Sequence, residues 1–252
     1  MHANHAIETQ RLTLRIGSVP IVDEVSLSVL EGEFLVVIGP NGAGKTTLLN
    51  LLSGVARATS GKIAFRGQDV TNAPSYRRAR LGMGRTFQTS SIFTNLPVLE
   101  NVRLAAQAHL GGSDQAWRLT SGDREAVARA QAALEEVGLA ARANAIAGAL
   151  SHGEKRKLDL AILVATDASV VLLDEPTAGM AVEDIPDIVN LLRRMHRERG
   201  STVVMVEHRL DLIQGLADRM AVMHHGAMLA IDTPARVIAN DVVQSAYLGD
   251  PL

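Results

Sequence analysis

GPNGAGKT, from Gly39 to Thr46, is the stretch that decides the fold. It matches G-x-x-x-x-G-K-[ST], follows the apolar run EFLVVI and opens a helix-like run, 45 to 53, that Gly54 ends. Small residues let successive backbone N–H groups converge on phosphate oxygens. Lys45 adds a point charge, and the Thr46 hydroxyl suits Mg2+. The loop therefore predicts a nucleoside triphosphate site built from Gly39, Pro40, Asn41, Gly42, Ala43, Gly44, Lys45, Thr46 and Thr47.

Upstream, RLTLRI, EVSLSVL and EFLVVIG are read as alternating in strand fashion, with turns at GSVP and EGE. Downstream, GKIAFRG reads as a further strand. From about 90 to 165 the chain becomes rich in Ala, Leu, Gln and Glu. Val127, Ala130, Leu134 and Val137 mark one helical face that Gly138 closes, which predicts a helical subdomain inserted into an α/β core. SVVLLD, STVVMV, RMAVMHH and GAMLAID then read as short strands, with helical segments at 183–199 and 209–217. The first two are the continuous apolar runs of a buried parallel sheet. Thr233 and Pro234 predict the cap and first turn of a last helix.

VVLLDEP, 170 to 176, is an apolar strand that ends in two carboxylates, where α/β folds place ligands. Asp174 is expected to hold Mg2+ through its shell, and Glu175 to polarise an attacking water. Gln88 and His208 each follow a strand-like stretch, GRTFQ and VVMVEH, and gain meaning only beside the loop and the paired acids. LSHGEKRKLDLA, 150 to 161, starts a helix: Ser151 stands three residues ahead of Glu154, the spacing of a capping box. A serine and Gly153 at the electropositive end of that helix make it a ready anion site.

The bulk numbers exclude several classes. The 252-residue chain carries a formal net charge of -2, without the basic excess of a nucleic-acid binder. It has no cysteine, so no disulfide scaffold, and its first residues lack the apolar core of a signal peptide. No apolar run approaches the ~18 residues that span a bilayer, so any membrane work needs other chains.

Taken in order, GPNGAGKTT, Gln88, LSHGE, LLDEP and EH resemble the pattern of an ABC-type ATPase subunit over almost the whole chain. The resemblance implies a P-loop NTPase core, with a mixed, largely parallel sheet and helices. It adds an N-terminal antiparallel β subdomain and an inserted α-helical subdomain. Residues 1–252 would form one ATPase domain: about 1–89 and 166–252 the α/β core, and about 90–165 the helical subdomain. It also implies ATP and Mg2+ as ligands, Thr46, Gln88 and Asp174 around the metal, and Glu175 and His208 as catalytic groups. Ser151, His152, Gly153 and Glu154 would be the family signature. In that family two ATPase subunits pack head to tail, and the signature of one serves the γ-phosphate held by the other.

GMGRTFQ, DEPTAGM and the ending SAYLG look like the ATPase subunits of branched-chain amino-acid importers and their amide and urea relatives. The ATPase of lipopolysaccharide export is a near neighbour, but its glutamine loop usually lacks the GRTF lead-in. Soluble ABC ATPases of DNA repair or translation normally bring coiled-coil insertions or tandem modules, and a GTPase would carry N-K-x-D. This chain has none of these. The implied partners are a second ATPase subunit, identical or different, transmembrane permease subunits and, indirectly, a substrate-binding protein. The implied place is the cytoplasmic face of the inner membrane. Four positions depart from the family. Ile16 stands where an aromatic usually stacks on adenine, His152 replaces a glycine, Glu154 replaces the commoner glutamine, and Ala181 replaces an aspartate that many relatives carry in the loop linking the two sites. Arg77, Arg78, Arg80 and Arg85 read as a solvated basic face, with contact to a permease loop or lipid head groups as the sharper alternative, and His224 and His225 as a bland hairpin turn.

Overall fold

The computed structural model describes residues 4–86, 91–110, 121–213 and 215–248. The chain opens with two long antiparallel strands, β1 (His5–Ile16) and β2 (Val19–Leu30), turned at Gly17 and Ser18. Next come β3 (Phe34–Ile38), whose five residues are all buried, and α1 (Lys45–Ser53). β4 (Ser60–Phe65), β5 (Gln68–Asp69), α2 (Ser75–Arg80) and β6 (Met83–Arg85) follow. The helical stretch supplies α3 (Val98–His109), α4 (Ser121–Glu136) and α5 (His152–Ala165). The remainder alternates: β7 (Val170–Asp174), α6 (Ile185–Arg197), β8 (Thr202–Val206), α7 (Leu210–Ile213), β9 (Arg219–His224), β10 (Ala227–Asp232), α8 (Pro234–Ile238) and α9 (Asp241–Leu248).

Two sheets result. One is antiparallel, in the order β2-β1-β4-β5; the other runs β10-β9-β3-β8-β7-β6. In the second, β3 lies parallel to both β8 and β9, and β7 parallel to β8, while β10 returns antiparallel. FLVVI, VVLLD and TVVMV are buried along their whole length, as strands covered on both faces must be. Parallel alignment brings the carboxyl ends of β3, β7 and β8 to one edge, and that edge positions the site. Leu48, Leu49, Leu51 and Leu52 of α1 are buried in one core with Ile7, Val25, Val170 and Val204. Each such side chain stabilises by roughly 1.5–3 kcal/mol relative to exposure.

The chain divides into two compact units. The first comprises Met1–Met83, Ser169–Glu175 and Arg193–Leu252; the second comprises Gly84–Ala168 and Pro176–Leu192. The second thus takes in a segment after Glu175 that lies outside the 90–165 stretch read as helical. Side chains of α5 hold that segment: Arg156 Nε donates to Pro176 O at 3.1 Å, and Lys157 Nζ meets Asp184 Oδ1 at 2.9 Å. Within this unit α3, α4 and α5 pack on one another. The buried face of α4 is Ala126, Ala130, Ala133 and Leu134, while Val127 is half-buried. Small alanines carry the close approach that periodicity had assigned to the valine.

Arg78 corrects the expectation of a solvated basic face. It is only 2% exposed, and its guanidinium donates to four backbone carbonyls: Leu51, Leu52, Ala73 and Thr71, at 2.6, 2.6, 3.0 and 3.1 Å. Two of these end α1, so a fixed cation sits at the negative end of that helix. Burial pulls the guanidinium below its usual value, yet arginine stays charged. Gly54, which ends α1 in the left-handed region, admits the guanidinium: a Cβ there would stand 2.8 Å from Arg78 Nε. Arg77 and Arg80 are exposed as expected, and Arg85 is half-buried. One helix reading also shifts. Among its described residues the 209–217 segment is helical over α7, before a turn at Gly215. Thr233 caps α8 by position alone, its N–H being taken by Asp232 Oδ1 at 2.7 Å.

Candidate nucleotide site

The phosphate loop joins β3 to α1. Gly44 occupies the N-cap at φ 95, and a Cβ on it would stand 2.4 Å from Ile21 O, so only glycine closes this turn. No side chain caps α1 and no acid lies in its first turn, which leaves its N–H groups to an outside acceptor. Lys45 is buried and folds back over the loop, donating to Gly39 O at 2.7 Å and Pro40 O at 2.9 Å. Burial lowers its pKa, and Glu175 and Asp174 oppose that shift. The ammonium therefore lies within the field of both carboxylates.

β7 delivers those acids. Asp174 is buried at the strand end, and its Oδ1 accepts from Thr46 Oγ1 at 3.2 Å. A hydroxyl and a carboxylate in contact are the hard oxygen donors that Mg2+ takes beside substrate phosphates. Glu175 follows at φ 47, a region that side-chain-bearing residues enter at a cost and chiefly at functional sites. Its N–H donates to Val206 O at 3.0 Å, and its Oε1 lies 2.8 Å from His208 Nε2. Thus the phosphate loop, Asp174, Glu175 and His208, far apart in sequence, meet at one sheet edge. Ile16 stands at the tip of the β1–β2 hairpin, 67% exposed and paired in register with Val19, itself 57% exposed. Gln88 lies outside the described residues, as do the end of SAYLG and most of the 111–123 loop.

The signature belongs to the second unit. Ser151 caps α5 with both halves of the capping box made: Ser151 Oγ accepts Glu154 N–H at 3.2 Å, and Glu154 Oε2 accepts Ser151 N–H at 2.8 Å. The Ser151 N–H, and secondarily Arg142 at 3.1 Å, hold the Glu154 carboxyl below its usual value. The His152 ring lies over Gly179, its Nε2 2.7 Å from where a Cβ would stand. Asp184 Oδ2 lies 3.3 Å from the corresponding point on Gly153. Asp184 and then Asp187 raise the pKa of Lys157. Reasoning from sequence missed Arg156, Lys157, Asp184 and the buried Glu207. Only Lys157 carried a signal, as a cation one turn beyond Gly153. His224 and His225 form their turn with ring centroids 4.0 Å apart, and among the described residues no group of acids, histidines and cysteines has metal-site spacing.

Residues 22–178 match the family model described as ABC transporter. The high-affinity branched-chain amino acid transport ATP-binding protein BraF of Pseudomonas aeruginosa is 36% identical over 97% of this chain and 98% of its own length. An ATP-binding cassette of an ABC transporter, solved in its ADP conformation, superposes with a TM-score of 0.84 at 30% identity. That match covers 98% of this chain and 99% of the other. A dimeric bacterial ABC transporter cassette superposes with a TM-score of 0.80 at 25% identity, covering 90% of this chain and 98% of its own.

Proposed function

The chain belongs to the ABC transporter family, as an ATPase whose hydrolysis of ATP is coupled to transport, and we propose that it powers import of branched-chain amino acids or related amides. The observation that carries this reading is the 36% identity with BraF, which extends over 97% of this chain and 98% of BraF. In it, the loop from Gly39 to Thr47 cradles the phosphates, Lys45 neutralises their charge, and Ile16 gives the base an apolar edge. Thr46 and Asp174, with Gln88, would hold Mg2+, which supplies charge neutralisation on the phosphates when bound. Glu175 orients the attacking water and accepts its proton, and His208 holds the carboxylate in place.

Ser151, His152, Gly153 and Glu154 serve a nucleotide on a second ATPase subunit, packed head to tail. The dimeric cassette that superposes on this chain supports pairing with a second subunit. Among the described residues no helix is long and apolar enough to cross a membrane. In this reading the subunit works through permease partners at the cytoplasmic face of the inner membrane, with a binding protein delivering substrate to them.

Reconstitution with the permease subunits and binding protein in vesicles tests the assignment. ATP-driven uptake of leucine, valine or a short amide is the expected result, and Glu175→Gln should slow it roughly 10²–10⁴-fold. ATP hydrolysis that drives no amino-acid or amide uptake, but moves lipid outward, would overturn it.

A further inference from the structure

Two residues at the end of β8 contact Glu175. Val206 O accepts its N–H at 3.0 Å, and His208 Nε2 reaches its Oε1 at 2.8 Å. Between them stands Glu207, a charged residue at a strand end that is nonetheless only 3% exposed. Its Oε2 accepts the backbone N–H of His208 at 3.0 Å, and its own N–H donates to Val37 O at 3.4 Å. Val37 lies in β3, two residues ahead of Gly39, so this tripeptide is tied to the strand that carries the phosphate loop. Burying a carboxylate is costly, and such a group persists where its hydrogen bonds fix something.

We propose that Glu207 is a positioning residue for the hydrolysis step, holding the His208 backbone so that the imidazole stays on Glu175. The β8 ladder ends at Val206, and beyond it the Glu207 carboxylate takes over the role of acceptor for the next N–H. The His208 side chain is 37% exposed, so neighbouring packing alone leaves it room to swing. Fixing its backbone N–H restricts the ring to the side where Glu175 waits. Glu175, held at φ 47, needs that restraint at both its N–H and its carboxylate. Glu207 thus acts on the water-orienting carboxylate through His208, without touching nucleotide. This role rests on the reading of Glu175 and His208 given above.

The test is steady-state ATP hydrolysis by the full chain in its working complex, for Glu207→Leu, Glu207→Gln, His208→Ala, Glu175→Gln and the double variants of each Glu207 change with His208→Ala. Glu207→Leu keeps the volume and removes the acceptor. It should lower kcat about tenfold, as the loss of one such hydrogen bond implies, while KM for ATP stays within about twofold. Glu207→Gln, which still presents an oxygen, should lose only about threefold. On the His208→Ala background neither change should lower kcat further. Wild-type kcat in Glu207→Leu, a loss that persists on top of His208→Ala, or a KM that moves with kcat would overturn the positioning role. Should Glu207→Leu not fold, Glu207→Gln alone and combined with His208→Ala decides by the same criterion. Wild-type turnover in both Glu175→Gln and His208→Ala would instead overturn the reading of the site itself.

Discussion

α1 and α5 each begin at a glycine-containing turn, and their two starts differ in one physical respect. The first turn of α1 has no side-chain cap and no acid, only Gly44 and the backbone of the loop. The first turn of α5 is satisfied from within, by the reciprocal bonds of Ser151 and Glu154, with Asp184 close to Gly153. An uncapped helix end is incomplete until an anion arrives. A capped one is stable while it waits. The difference teaches which anion each end was built for. In the proposed reading α1 completes itself with a ligand held by its own chain, whereas α5, already capped from within, offers its end to a partner's nucleotide.

The comparison breaks first at Lys45. Lys45→Met should weaken ATP binding by the isolated chain roughly 10- to 100-fold, since a charge-assisted contact is lost at the uncapped end. Ser151→Ala in the same titration should leave the affinity of the isolated chain unchanged. Equal losses in the two variants would mean that both ends serve one nucleotide in the same chain.

At the far end of α1, Arg78→Met should destabilise the fold by about 2–4 kcal/mol, because buried carbonyls lose their donor. Urea unfolding measures this, and a change below 1 kcal/mol would mean that water replaces the guanidinium. Arg77→Met, on the exposed side, should stay within about 0.5 kcal/mol.

The smallest expected effect concerns the cap of α5. Ser151→Ala should cost about 1 kcal/mol of stability. Glu154 adds a pH dependence of known sign. Its carboxyl is held below the ordinary 4.5, so its contribution is complete above that value and is lost as pH falls through the lower folded value. The stability gap between wild type and Glu154→Gln should therefore shrink on going from pH 6 to pH 3.5. A gap that widens would contradict the capping role of the charged form.

What the sequence disclosed and what it withheld divide along the range of the interactions. The phosphate loop, the end of α1 at Gly54 and the capping box of Ser151 with Glu154 were legible because each is local, set by spacings of a few residues. The buried runs of β7 and β8 were legible because strands covered on both faces cannot alternate, whereas β3, read as alternating, is buried at all five residues because β8 and β9 flank it. Arg78 was misread because its acceptors lie at 51, 52, 71 and 73, and no local pattern says that four carbonyls will converge on one guanidinium. Lys157 and Asp184, 27 residues apart, hid for the same reason. Glu207 hid because a charged residue after a strand ordinarily faces water, and its burial depends on β3 lying beside β8.

The central claim is that the phosphate loop and the signature of one chain serve different nucleotides. The direct measurement uses Lys45→Ala, which removes the charge of the chain's own loop, and Ser151→Arg, which blocks the end of α5. Tagged dimers are assembled in two ways. With one change on each chain, both lesions fall on a single composite site, and the other site combines an intact loop with an intact signature. That dimer should retain ATP hydrolysis. With both changes on one chain and a wild-type partner, each site carries one lesion, and hydrolysis should nearly vanish. The reverse pattern, an active dimer from the doubly changed chain and a dead one from the split pair, would show that the signature acts on its own chain's nucleotide and would contradict the account.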